Sequence, residues 1–231
     1  MVEPWRGEPG GPMSDDGEPT NGSSQRPAPS KGERTRRQLI ELAIQQFGSH
    51  GYRGTSVSEI TRAAGLTQAA SYAYFPNKEA LFREAVNADA GSLIRYARDR
   101  TEQTPIRQLL PSFLVHLVAA LDDHPLAKRV LSGQEPEGMA QLGGLSSLDT
   151  TRGGLAERIA AGQETGEVRT DIDPAVIANG AQTITLALLM SMTRVGVSSG
   201  AAPEGGGGPV PQEVIVGVVS ALDAMLAPPT S

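Results

Sequence analysis

Residues 55–82 read TSVSEITRAAGLTQAASYAYFPNKEALF, and this stretch decides the fold. Apolar residues at helical spacing precede Gly65, which predicts a helix of about two turns that ends at this glycine. Thr67 is a good N-cap for a second short helix, predicted over residues 68–74, and Pro76 ends it. Two short helices joined by a glycine-containing turn are typical of a helix-turn-helix motif.

Longer helices are predicted on both sides of this motif. A helix of two turns is not stable alone in water, where about 12–15 residues are needed, so its neighbours must hold it. The preceding helix is predicted to end at Gly51 in the C′ position. Asn77 is predicted to cap a fourth helix that runs to about Arg98. Ser56 and Glu59 have the spacing of a capping box at the start of the motif.

The second short helix has almost no side-chain bulk at its start. Gln68 can form a bidentate pair with an adenine edge, and Ala69 and Ala70 can contact a thymine methyl group. Small side chains let the backbone approach the bases, so we expect this helix to enter the major groove of DNA, which is about 12 Å wide. Nearby hydroxyls and a lysine can bind phosphate oxygens. The predicted DNA-binding residues are Thr55, Thr67, Gln68, Ala69, Ala70, Tyr72, Tyr74 and Lys78.

The distribution of charge agrees with this prediction. The whole chain has 20 Lys and Arg against 26 Asp and Glu, a formal net charge of −6. Residues 31–87 contain eight Lys and Arg against five Asp and Glu. A basic segment on an acidic protein favours binding of a polyanion at that end. Chance variation in composition is the alternative explanation of so small a difference.

The rest of the 231-residue chain is predicted to contain helices and a tail. Residues 1–30 are rich in Gly, Pro, Ser and acidic residues, which predicts a disordered tail. The glycine-rich stretch 200–209 is predicted to be a flexible loop. Beyond residue 100 the predicted helices are Ile106 to Asp122, Leu126 to Leu131, Leu145 to Gln163, Pro174 to about Val195, and Val214 to Leu226. The chain is therefore predicted to be all-α, with about nine helices in two domains, residues 32–92 and 93–231.

Several classes of protein are disfavoured. The chain has no cysteine, which excludes disulfides and thiolate chemistry. His50, His116 and His124 are not spaced as metal ligands, and the glycines of 205–208 lack the Lys-Ser/Thr ending of a phosphate loop. The apolar stretch 181–192 is too short to span a membrane, and no secretory signal is recognised. We expect a soluble cytoplasmic protein that is not an enzyme and has no cofactor, catalytic residue or metal.

The helix-turn-helix stretch and its flanks resemble the N-terminal DNA-binding module of the TetR family of transcriptional regulators, over about residues 32–92. The positions that match the family pattern are Phe47, Gly51, Tyr52, Thr55, Val57, Ile60, Ala64, Gly65, Tyr72, Phe75, Pro76, Lys78, Glu79 and Leu81. Ser71 departs from it, because the family usually has a buried Leu or Phe there. The hydroxyl implies a looser seat for the second short helix.

The resemblance implies a DNA-binding transcriptional regulator, and by the family's habit a repressor. Such a repressor leaves a near-palindromic operator when a small-molecule effector binds its C-terminal domain. The resemblance also implies a homodimer formed through the last two helices. Residues on plausible inner faces of the effector domain are Phe113, His116, Met139, Thr183 and Met190. For each of them, simple core packing is the alternative, and a lone histidine on an apolar helix, such as His116, is more often a core histidine with satisfied hydrogen bonds.

A second hypothesis explains the same helices by a function that does not involve DNA. A helical module that binds a ligand or docks a protein, and that does not bind an operator, has the same composition and periodicity. Binding of DNA through Gln68 and Lys78, with its dependence on salt, distinguishes the two hypotheses.

Overall fold

The computed structural model describes residues 30–142, 144–194 and 212–228. In these residues the chain forms ten α-helices and one 3₁₀ turn, Leu121–Asp123, without a strand. The helices are α1 Lys31–Gly54, α2 Val57–Ala63, α3 Gln68–Ser71, α4 Lys78–Thr101, α5 Ile106–Ala120, α6 Pro125–Leu131, α7 Pro136–Leu142, α8 Ser146–Glu164, α9 Pro174–Arg194 and α10 Gln212–Leu226. The predicted all-α fold is confirmed. The predicted tail up to residue 29 and the loop 200–209 lie outside the described residues.

α1 begins with a capping box and is interrupted near its end. The backbone N–H of Glu33 donates to the Ser30 hydroxyl at 3.2 Å, and that of Ser30 donates to the Glu33 carboxylate at 2.6 Å. Gly51 has φ 75° and ψ 170°, so the helical backbone breaks at the predicted position. A side chain at Gly51 would also collide with the Glu135 carboxylate, so glycine is required for two independent reasons.

The caps of the next three helices only partly follow the sequence. The predicted capping box at Ser56 is wrong, because its hydroxyl lies 2.7 Å from the Ser58 hydroxyl and makes no cap bond. Thr67 does cap α3, accepting from the backbone N–H of Ala70 at 3.2 Å. Asn77 caps α4 in the same way, accepting from Ala80 at 2.8 Å. α3 has only four residues and continues as a turn, so it is shorter than predicted.

Two hydrophobic cores lie along α4 and α5. The first joins the helix-turn-helix to α1, α4 and α6, and its largest fully buried side chains include Phe47 and Phe82. The second lies among α5, α8, α9 and α10, around Ile159 and Leu222. α4 contributes many of the buried residues of the first core, and it also packs against α5 and α8. α4 therefore contacts both the helix-turn-helix and the helices that follow residue 105.

A tenth helix was not expected from the sequence. α7 contains Gly138, which lowers its helix propensity, and it has no regular apolar stripe. Its position is set by packing instead: a Cβ at Gly138 would lie 2.6 Å from a methyl group of Val130. Close approach to α6 therefore explains both the glycine and the helix.

α9 is long and apolar. Its 21 residues make it, by length and composition alone, the one helix in the described residues that could cross a membrane. The expectation that the apolar stretch is too short to span a membrane was based on residues 181–192, which are only part of this helix. One side of α9 is buried in the two cores through Ile177, Ala181 and Leu189, as in the core helix of a folded domain.

α6 is fixed to α4 by a buried carboxylate. Asp89 on α4 accepts from the backbone N–H groups of Leu126 at 3.0 Å and Ala127 at 2.9 Å. Its other oxygen lies 2.8 Å from Nδ1 of His124. α6 has no cap from its own chain segment, so Asp89 satisfies two of its first N–H groups from another helix.

We expect Asp89→Ala to lower the free energy of unfolding by roughly 3 kcal/mol, because it leaves two buried N–H groups without an acceptor. Urea denaturation followed by circular dichroism measures this change. Asp99→Ala, which removes an exposed carboxylate from the same helix, should change stability by less than about 0.5 kcal/mol. Equal effects of the two substitutions would contradict the capping role.

Candidate nucleic-acid interface and effector cavity

The start of α3 is accessible from outside the protein. Gln68, Ala69 and Ala70 are all exposed, and the Gln68 amide nitrogen lies 3.5 Å from the Tyr72 hydroxyl, its one partner along the same turn. Since Thr67 bonds the N–H of Ala70, the turn that presents these side chains is fixed locally. The tip therefore has the exposure and the small side chains that entry into a groove requires.

Ser71 lies on the opposite, buried face of α3. It is 4% exposed, and its hydroxyl donates to the carbonyl oxygen of Gln68 at 2.8 Å. The hydrogen bond satisfies the hydroxyl within the helix, so a polar residue is tolerated where an apolar one is usual. The bulk of the seat comes instead from Leu66, Tyr74 and Phe75, which pack against the first core.

The two tyrosines of the turn differ in exposure. Tyr72 is 52% exposed, while the ring of Tyr74 is half-buried against the first core. Lys78, at the first position of α4, lies with its Nζ 4.7 Å from the ring centroid of Tyr52. Burial, and then the carboxylates of Glu79 and Glu137, raise the pKa of Tyr52. The phenol consequently stays neutral, and its ring holds Lys78 near the start of α4.

Thr55 is placed differently from the other predicted contacts. Its side chain is buried, and its hydroxyl lies within hydrogen-bond distance of the carbonyl oxygens of Gly51, at 2.8 Å, and Gln46, at 3.1 Å. These carbonyls belong to the last turns of α1, where intrahelical partners are missing. Thr55 therefore closes the end of α1, and its side chain is not part of the exposed surface.

Two arginines near this surface are paired with carboxylates. Arg36 lies 2.7 Å from Glu84 and 5.0 Å from the ring centroid of Phe75. Arg53 lies 3.3 Å from Glu137, and the backbone N–H of Glu137 itself, followed by Arg53, lowers the pKa of that carboxyl. Arg62 at the end of α2 is exposed and has no carboxylate within ion-pair distance in the described residues.

Glu135 joins the helix-turn-helix to the rest of the chain. It is buried, accepts from the backbone N–H of Tyr52 at 3.1 Å and lies 2.6 Å from Nε of Arg129. Tyr52 directly follows the break at Gly51, so the carboxylate fixes the chain where it turns toward α2. No local pattern in the sequence marks Glu135, since its partners lie 83 and 6 residues away.

A cavity of about 310 Å³ lies between α4, α5, α6, α8 and α9. Phe113 lines it, whereas the other four predicted effector residues do not. Thr183 is exposed and donates to the carbonyl of Asn179, and the His116 ring lies 6.4 Å from that of Tyr96. Met139 and Met190 pack against the first core. Helical spacing alone could not tell core positions from cavity positions, and Thr183 lies on an exposed face instead of an inner one.

Comparison with known proteins places the first part of the chain. Residues 39–85 match the sequence model of a family described as bacterial regulatory proteins, tetR family. The chain is 35% identical over 92 residues to a probable acrEF/envCD operon repressor of Escherichia coli, covering 40% of this chain and 34% of that protein. It is 31% identical over 144 residues to the A-factor receptor protein of Streptomyces griseus, covering 62% and 50%. The chain thus spans half or less of these relatives.

The fold extends beyond the matched segment. A solved transcriptional regulator of the TetR family from Cytophaga hutchinsonii superposes with a TM-score of 0.60 over 86% of this chain and 96% of the other. The two sequences are 18% identical, so the similarity shows a shared fold. The helix-turn-helix inferred from residues 55–82 and the resemblance stated from its residues are confirmed.

We expect Thr55→Val to lower the free energy of unfolding by about 1–2 kcal/mol, because carbonyl groups at the end of α1 lose their buried donor. Thr170→Val is the control, because it makes the same Thr-to-Val change at an exposed position. It should leave the free energy of unfolding within about 0.5 kcal/mol of the parent. Chemical denaturation of both variants compares them directly. An unchanged stability of the Thr55 variant would show that its hydroxyl does not hold α1.

Proposed function

We propose that this chain, which belongs to the tetR family of bacterial regulatory proteins, is a sequence-specific DNA-binding transcriptional regulator. The observation that carries the proposal is the exposed start of α3, where Gln68 is followed by two alanines. Because nothing on this turn is bulky, its backbone can approach base edges in a major groove.

The contacts follow from the positions of the side chains. Gln68 pairs with a base edge, and Ala69 and Ala70 contact thymine methyl groups or neighbouring sugar. Tyr72 and Lys78 bind phosphate oxygens on either side, and the backbone amides beside Thr67 add to this set. The ring of Tyr74 packs against the first core and supports the turn after α3. Its hydroxyl can bind a phosphate oxygen. Phosphate contacts position the protein, whereas Gln68 supplies sequence information.

Two functional domains are proposed along the chain. Residues 32–92 form the DNA-binding domain, and residues 93–231 form the effector-binding and dimerisation domain. α4 belongs to both, since its first half packs in the core of the helix-turn-helix and its second half lines the cavity. The domains are therefore proposed to communicate through one continuous helix.

We also propose a homodimer formed by α9 and α10. Val176 on α9 and Val216 on α10 are large apolar side chains exposed at 59% and 56%. Each helix continues this surface with small exposed residues at helical spacing, namely Thr183, Ala187 and Ser191 on α9 and Gly217, Ala221 and Ala224 on α10. Small side chains let helices of two subunits approach closely, and the symmetric pair would bury the exposed face of α9.

Dimerisation fixes the form of the DNA site. Two recognition helices related by a two-fold axis read half-sites about 34–36 Å apart, or a multiple of that distance, in a near-palindromic operator. An effector in the cavity favours dimers whose α3 helices are wrongly spaced, so the operator is released and repression ends. Such a protein acts in the cytoplasm, and we propose no enzymatic activity for it.

The helical module without DNA binding is the less favoured function. The relatives of this chain include a protein named as an operon repressor. In addition, no described part of the chain covers Gln68, Ala69 and Ala70 at the start of α3. A docking module has no need of an uncovered tip without bulky side chains.

We expect Gln68→Ala to weaken binding to the selected operator by about 1–3 kcal/mol and to relax specificity at one base position. Lys78→Ala should instead weaken binding to all duplexes alike and reduce the slope of log K against log salt by about 1. Selection of bound fragments from random DNA identifies the operator, and fluorescence anisotropy at several salt concentrations measures both effects.

Gln103→Ala is the matched control for this experiment, since Gln103 is an exposed glutamine beyond the end of α4. It should leave operator binding unchanged. If Gln68→Ala and Lys78→Ala also bind DNA as the parent does, with the same salt slope, α3 is not the recognition element. If no operator is selected from random DNA, the proposed function fails.

We expect Ala187→Glu to convert the dimer into a monomer, because it buries a carboxylate in the proposed helix interface. Light scattering coupled to size exclusion measures the mass of each variant. Ala161→Glu, at an exposed position of α8 outside the proposed interface, should remain dimeric. A dimer that survives Ala187→Glu would place the interface elsewhere.

A further inference from the structure

The cavity of the proposed effector domain has an apolar interior. Buried leucines from α4, α5 and α9, among them Leu93, Leu110 and Leu189, form its inner walls. Its volume of about 310 Å³ lies at the lower end of the range usual for small-molecule sites, about 300–1,000 Å³. An apolar group of modest size would gain most from this interior.

The charged part of the cavity lies on one side, whereas α9 adds the neutral polar residues Gln182 and Thr185. Its exposed lining residues come from the end of α4 and the first half of α8, and they include Arg98, Glu102 and Thr150. Arg152 and Arg158 lie on the same α8 wall and are half-buried. A ligand that fills the cavity therefore meets leucines at one end and three guanidinium groups with one carboxylate at the other.

A second, polar groove continues from this side. It runs between α1, α4 and the start of α8, with a volume of about 430 Å³. The groove and the cavity share Ile94, Arg98, Thr150 and Thr151. Arg98 is the one charged residue that lines both, so it stands at their junction.

The arginines at the junction differ in how well their charge is neutralised. Arg98 lies 3.5 Å from the exposed Asp99 in a loose pair, and Arg95 has no carboxylate within ion-pair distance in the described residues. Arg158 donates to the carbonyl oxygens of Thr101 and Thr104 and has no carboxylate within ion-pair distance among the described residues. Arg152 is paired with Asp149 at 2.8 Å. The junction consequently keeps a positive excess.

The groove also holds an unsatisfied buried hydroxyl. Among the described residues, the Ser147 hydroxyl is the buried side-chain polar atom that has no hydrogen-bond partner. Ser147 lines the groove near the start of α8. A buried polar group without a partner is costly, and a polar ligand atom in the groove would satisfy it.

We propose that the effector is an amphipathic anion, with its apolar tail in the leucine-lined cavity and its anionic group on Arg98 at the junction. The inference rests on the proposed effector role of the cavity and names the chemical class of the ligand. A guanidinium binds a carboxylate or a phosphate through paired hydrogen bonds, whereas a neutral head group gains no charge-assisted bond. A cationic head group would be repelled by Arg95, Arg98 and Arg158.

The ligand class is tested by direct binding to the full chain without DNA. Isothermal titration calorimetry compares decanoate with decanol and decylamine, which carry the same tail with a neutral or a cationic head. We expect decanoate to bind at least about tenfold more tightly than either, since one charge-assisted pair contributes about 1.5–3 kcal/mol and 1.4 kcal/mol is tenfold. Arg98→Gln should remove this preference, and Arg98→Lys should restore part of it.

Arg100→Gln is the matched control. Arg100 lies two residues along α4, stacks on the Tyr96 ring at 3.5 Å from its centroid and lines neither the cavity nor the groove. It should keep the full preference for decanoate. Leu155→Trp, which adds bulk to the cavity wall, should weaken decanoate at least about tenfold, and circular dichroism checks that each variant is folded.

The anion can be a free carboxylate or the phosphate of a carrier ester. Titration with decanoyl-coenzyme A separates these sources. If it binds more tightly than decanoate, and Arg95→Gln removes this difference, the groove is assigned to the phosphate groups. Either anion supports the proposal. It is overturned if decanol binds as tightly as both anions, if Arg98→Gln leaves the preference intact, or if neither anion binds saturably.

Failure of the ligand class and failure of the proposed function are distinguishable. Calorimetry is performed without DNA, and operator binding by the ligand-free protein is measured separately. Operator binding with equal affinity for decanoate and decanol overturns the ligand class alone. Tight decanoate binding without any operator binding overturns the regulator alone.

Discussion

The placement of a four-residue helix against a shared aromatic core is the constraint on which the structure depends. α3 is far too short to persist alone, so its orientation is determined by the residues beneath it. The ring of Phe82 on α4 lies 5.0 Å from that of Phe47 on α1 and 4.8 Å from that of Tyr52, both edge to face. This packing joins α1 to α4 and forms part of the core on which Tyr74 and Phe75 rest.

Two buried carboxylates then connect this core to the rest of the chain. Asp89 holds the start of α6, and Glu135 holds the turn at Tyr52. A buried carboxylate is expensive to desolvate, so each is stable only with its full set of donors. Apolar contacts alone would let helices slide past one another, whereas a carboxylate that bonds particular N–H groups fixes their register. Gly48, whose added Cβ would lie 2.8 Å from Pro125, lets α6 approach α1 closely enough for that register.

The features that the sequence predicted are local in origin. Thr67, Asn77 and Gly51 act through neighbouring residues, so their roles could be inferred from spacing and backbone preference alone. The failures have two origins: a side chain that takes a different local partner, and contacts between distant segments. Ser56 bonds Ser58 instead of closing a capping box, and Thr55 turns inward onto α1. The cavity is lined by five helices that meet only in three dimensions, which is why Phe113 is the one predicted effector residue on its wall.

The course of α4 determines how a ligand could be sensed by α3. From Lys78 to Arg98 the helix rises about 30 Å, with Phe82 near one end and the cavity at the other. Asp89 lies between them and is bonded to α6, so α4 cannot shift alone without breaking two buried hydrogen bonds. Asp89 therefore links the part of α4 that lines the cavity to α6. Because α6 also packs on α1, and α1 and α4 form the core beneath α3, this linked set of helices is the route that we propose for the signal.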